Sequence, residues 1–91
     1  MTKEERAAAM TRLNYPPGTR LELITMGDDP RPIPPGSRGT VDYVDDIGTI
    51  HMSWDSGRSL GLFPGEDNFR KLTPEELAAE QDMGGIGWQT M

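Results

Sequence analysis

Cysteine is absent from this 91-residue chain. The absence excludes disulfide staples, thiolate nucleophiles and cysteine-based zinc sites. Histidine occurs once, as His51, and one imidazole builds neither an acid–base pair nor a zinc site by itself. No apolar run approaches the ~18 residues of a membrane span. The opening residues 1–14 are charged and alanine-rich, unlike an export signal. The expectation is therefore a cytoplasmic protein with no membrane partner. Cations are scarce: nine Lys and Arg stand against fifteen Asp and Glu, for a net charge of −6. Phosphate backbones repel such a chain unless its few cations gather on one face. Apolar residues make up only 34%, so the core of this single domain must be small.

Glycine and proline are plentiful, 11 and 8, and they punctuate short alternating runs. Residues 1–14 suit a helical arm: Thr2 can cap it, Glu4 and Glu5 sit in its first turn, and Met10 and Leu13 with Ala9 form a thin apolar stripe. Tyr15-Pro16-Pro17-Gly18 stops that helix. Leu21 and Leu23 then alternate with Arg20 and Glu22 in a first strand, with Thr25 a further inward candidate. Gly27–Gly36 carries four prolines and no periodicity, and reads as a stiff loop. Strands follow at Arg38–Val44, Thr49–Trp54 and Arg58–Leu62, separated by the turn signals Asp45-Asp46-Ile47-Gly48 and Asp55-Ser56-Gly57. Gly39 marks a bulge or a close backbone approach. Strong coiling or a bulge near Tyr43 would reconcile an inward Val41 with an inward Val44. Phe69–Leu72 closes the set as a fifth strand, with Phe69 plugging one end. Thr73-Pro74-Glu75-Glu76 opens an acidic helix, which Gly84-Gly85 should end, leaving a mobile tail with Trp88.

These strands predict a mainly β fold, a small five-stranded barrel over residues 15–72 flanked by a helical arm at 1–14 and an acidic helix and tail at 73–91. The run PGSRGTVDYV, a turn, then TIHMSWDSG resembles the half-barrel of KOW-type and other SH3-like domains, through Gly39, Val41, Val44, Ile50, Met52, Trp54, Asp55 and Gly57. Residues 15–72, with YPPGTRLELI, PPGSRGTV, DDIGTIHMSWDSG and SLGLFPGEDNF, also resemble a small bacterial family of unknown function carried on phages and conjugative elements. That likeness implies an accessory protein acting in the host cytoplasm, and no reaction.

No Gly-x-Ser-x-Gly, phosphate-loop or dinucleotide pattern is present, and the paired aspartates 28–29 and 45–46 read as turn formers rather than calcium ligands. No catalytic residue, metal ligand or cofactor is assigned. Candidate binding residues are Tyr43, Trp54, Arg38, Arg58, Phe63 and Trp88. Trp54 ends an inward run and reads as core; at a barrel mouth with Tyr43 and Phe63 it would instead floor a peptide groove. The leading expectation is a non-enzymatic protein-interaction module. Two alternatives stand beside it: a KOW-like nucleic-acid binder using Arg38, Arg58, Arg70 and Lys71 with Tyr43 for stacking, and an acidic inhibitor of a host defence nuclease.

Overall fold

The computed structural model describes residues 1–89, with the backbone alone for residues 82–89. Its elements run α1 (Lys3–Asn14), β1 (Arg20–Thr25), β2 (Arg38–Val44), β3 (Ile50–Trp54), β4 (Asn68–Lys71) and α2 (Pro74–Gln89). The strands form one antiparallel sheet in the order β3-β2-β1-β4.

The five-stranded SH3-like barrel expected from the sequence is thus corrected to an open four-stranded sheet. The expected strand Arg58–Leu62 meets β3 only at its two ends. There the Trp54 N–H donates to the Arg58 carbonyl at 2.8 Å, and Ile50 and Leu62 exchange bonds of 2.9 and 2.8 Å. Between them, the Leu60 carbonyl accepts the Trp54 indole N–H at 2.7 Å. In a continuous ladder of this register that carbonyl would face Met52. The indole takes its place, so the segment remains a loop held at both ends and adds no fifth strand to the sheet.

One face of the sheet is apolar. Leu21, Leu23, Val41, Val44, Ile50, Met52 and Trp54 pack there with Leu62 and with Ile33 from the proline-rich loop. Burying each such side chain contributes roughly 1.5–3 kcal/mol. The β2–β3 register slips between Val41 and Tyr43. That bulge returns Val44 to the core and turns Tyr43 outward, as the spacing of the two valines requires. Thr25, a candidate for the core, is exposed. Gly39 is a site of close approach: a Cβ there would stand 2.9 Å from the Ser53 carbonyl oxygen and 3.0 Å from the Trp54 ring. Phe69 packs partly buried against the core and meets the Tyr15 ring edge-on.

α1 starts at a capping box between Thr2 and Glu5. It docks through Ala8, which is buried, while Met10 and Leu13 of the expected stripe face outward, Leu13 at 74% exposure. The reason is local. Gly48, at φ +90°, lies against Ala8, whose Cα is 3.6 Å from where a Gly48 Cβ would stand, so the helix meets the β2–β3 turn through these two small residues. Arg12 then reaches the Val44 and Asp45 carbonyls at 3.4 and 3.1 Å.

α2 begins at the reciprocal bonds between Thr73 and Glu76 that its opening tetrapeptide predicts. Its backbone continues through Gly84-Gly85 to Gln89, which corrects the expected stop there. Glycine lowers helix stability by about 1 kcal/mol relative to alanine but does not forbid the conformation. Thr90 and Met91 lie outside the described residues. Among the described residues, no helix is long and apolar enough to cross a membrane.

Candidate interaction surface

The outward face of the sheet carries two distinct constellations. The first lies on β2 and β3, where Tyr43 and His51 are directly paired. Their rings stack with centroids 4.3 Å apart and planes 7° from parallel. Tyr43 is half exposed, at 52%. The β2–β3 turn holds the pair in place. His51 Nε2 lies 2.8 Å from Asp45 Oδ2, and the other Asp45 oxygen accepts the Ile47 and Thr49 N–H groups at 3.1 and 2.9 Å. The His51 bond, followed by those from Thr49 and Ile47, holds the Asp45 carboxyl below its ordinary range. Beside this pair, Ser53 Oγ is 2.8 Å from an Asp42 carboxylate oxygen.

The second constellation joins the sheet to α2 by charge. Arg20 grips Asp55 with two bonds of 2.8 and 2.7 Å and Glu80 with two of 3.1 and 2.7 Å. Arg70 grips Glu76 with two more, at 2.8 and 2.7 Å, and lies 3.2 Å from Glu22. Arg38 sits between them, bonded to Glu22 at 3.0 Å and reaching Glu76 and Glu80 at 3.3 and 3.4 Å. Such two-pronged charge-assisted pairs are the strong class of hydrogen bond. The Arg70 bond, with help from the Thr73 N–H, pulls the Glu76 carboxyl down to about 2. The Arg20 bond lowers Glu80 as well.

The residues singled out from the sequence do not converge. Trp54 is core, with 3% exposure, and floors no groove. Arg38 belongs to the α2 clamp. Arg58 donates to the Arg31 and Pro32 carbonyls at 2.6 and 3.3 Å and secures the proline-rich loop. Phe63 is exposed on the loop that follows Leu62, where its N–H donates to Asp67. The side chain of Trp88 lies outside the described residues. Among the described candidates, Tyr43 is exposed on the sheet face and Phe63 on the loop.

Sequence reasoning missed His51 as its stacking partner, and it missed the roles of Arg20, Glu76 and Glu80. The signals were present. His51 and Tyr43 share the outward face once the bulge is placed, and Glu76 and Glu80 are four apart on one helix face.

A comparison with protein-family profiles matches residues 4–72 to a domain of unknown function (DUF4314). Comparisons with curated proteins and with solved structures return no match.

Proposed function

The chain belongs to the DUF4314 family, and from that premise and its own geometry we propose that it is a non-enzymatic protein-interaction module whose contact surface centres on Tyr43 and His51. The stacked, solvent-facing ring pair carries this reading. A half-exposed aromatic fixed on two paired strands loses little side-chain freedom on binding, which is what an interface anchor needs. The acidic balance favours a partner surface with basic groups. His51 is fixed in place by Asp45 and by the Tyr43 ring, and the nearby Ser53 hydroxyl by Asp42, which keeps the outward side chains of this surface in one arrangement. The resemblance of residues 15–72 to domains carried on phages and conjugative elements supports a role as an accessory protein in a host cytoplasm.

The alternatives find less support. Of the four cations a nucleic-acid surface would use, Arg38 and Arg70 are bonded to carboxylates and Arg58 to carbonyls. Lys71 lies over the Tyr15 ring, 5.2 Å from its centroid. An acidic mimic would need its helix carboxylates outward, whereas Glu76 and Glu80 turn to the sheet.

Affinity capture from host cells tests the proposal. The expected result is a protein partner whose binding falls about 10- to 100-fold on Tyr43→Ala, the range of an interface hot spot, with the urea midpoint nearly unchanged. Binding that survives both Tyr43→Ala and His51→Ala would remove this surface from the reading. Tight oligonucleotide binding with no protein captured would remove the reading itself.

A further inference from the structure

Over the described part of α2, the helix is held to the sheet by ions rather than by apolar packing. Leu77 is exposed, as are Ala78 and Ala79. The contacts to β1, β2 and β4 are the carboxylates of Glu76 and Glu80 on Arg20, Arg38 and Arg70. These three arginines lie side by side because the strand pairing puts Glu22 opposite both Arg38 and Arg70, with Arg20 two residues along β1 on the same outward face. Their side chains are only 19–37% exposed.

A second observation divides the clamp in two. The family match ends at Leu72. The arginine face therefore belongs to the matched domain, and the carboxylates that cover it belong to the helix beyond. Within the domain itself, Glu22 and Asp55 balance only two of the three positive charges.

From this we infer that the Arg20–Arg38–Arg70 face is a docking site for an acidic helix, and that α2 is its resident occupant, which a partner's helix with two carboxylates four residues apart displaces. The spacing is what the site reads. Glu76 and Glu80 stand one turn apart, and each reaches two of the three guanidiniums, with Arg38 shared between them. Glu22 and Asp55, set among the arginines, would repel a continuous phosphate backbone but leave room for two discrete carboxylates. The helix is tethered to β4 through the short connection at Leu72 and Thr73, which gives it a high effective concentration at the site. A partner therefore binds only to the fraction of molecules in which α2 has let go. This site is separate from the Tyr43–His51 surface and does not depend on it.

The test uses the full chain with Glu76→Gln and Glu80→Gln together, against the wild-type chain. The probe is a synthetic peptide of residues 73–83, TPEELAAEQDM, with a copy in which its two clamp glutamates are glutamine. Binding is read from the Nε–H resonances of Arg20, Arg38 and Arg70, and the Trp54 indole N–H resonance reports the fold. The expected result is peptide binding at least about fivefold tighter to the double variant, because the tethered competitor is gone. The shifts should be confined to the three arginines, and the glutamine peptide should produce none. Arg38→Gln added to the double variant should abolish the shifts. Should the double variant lose its Trp54 signal, Glu80→Gln alone is read the same way. Equal peptide affinity for the two chains overturns the inference. So does a single-stranded oligonucleotide that takes the arginines in preference to the peptide.

Discussion

Trp54 fills the core with its ring and gives its one donor to the Leu60 carbonyl, 2.7 Å away. Two substitutions separate these contributions. Trp54→Ala removes both and should cost about 3–5 kcal/mol. Trp54→Phe keeps most of the packing, leaves the carbonyl unpaired and should cost about 1–3 kcal/mol. Urea denaturation of the two variants, read by circular dichroism, orders them. Gly39→Ala is a third case at this scale. Its methyl would press on the Ser53 carbonyl oxygen at 2.9 Å, which a paired strand cannot easily yield, so a loss of about 1–3 kcal/mol is expected in the same measurement. The burial of Trp54 was legible in the alternation Ile50-x-Met52-x-Trp54, because strand period alone sets which face a residue takes. Its bond to Leu60 was not, since nothing local tells an indole which carbonyl will lie beneath it.

At the scale of elements, the two helices differ in what holds them. α1 rests on Ala8 and on Arg12 bonding to turn carbonyls, and its first turn depends on Thr2. Thr2→Ala should lower helix stability by about 0.5–2 kcal/mol, visible as faster amide exchange in residues 3–6. α2 rests on carboxylates, so its docking depends on pH. The folded-state value of Glu76 lies at about 2, below its ordinary 4.5. Its contribution is therefore complete above pH 4.5 and is lost as pH falls toward about 2. Amide protection in α2, taken relative to the intrinsic exchange rate at each pH, should fall across that window while Leu21, Leu23 and Val41 stay protected. Uniform exchange in sheet and helix at every pH would contradict this. The Thr2 cap and the Thr73–Glu76 box were legible because they are read within four residues. The docking of α2 was not, because Arg20 and Glu80 are sixty positions apart and meet only through the fold.

At the scale of the whole molecule, the net charge of −6 and the engagement of Arg38, Arg58 and Arg70 by internal acceptors point the same way. A gel-shift assay with duplex or single-stranded oligonucleotides should show no complex at low salt, where counterion release favours one most. The chain's own pattern was enough to place four of the five expected strands, the inward Leu21, Leu23, Val41, Ile50 and Met52, and both helix starts. All of these follow from periodicity and short-range hydrogen bonding. Tertiary structure alone decided the rest. Ile33, in a proline-rich stretch without periodicity, became core because the loop folds back over the sheet. Arg58–Leu62 was kept from pairing along its length because the Trp54 indole occupies its central carbonyl. Tyr43 found His51, and the three arginines found Glu76 and Glu80, because pairing between distant strands set them side by side. Alternation tells a residue which way to face, and only the assembled sheet determines what stands opposite.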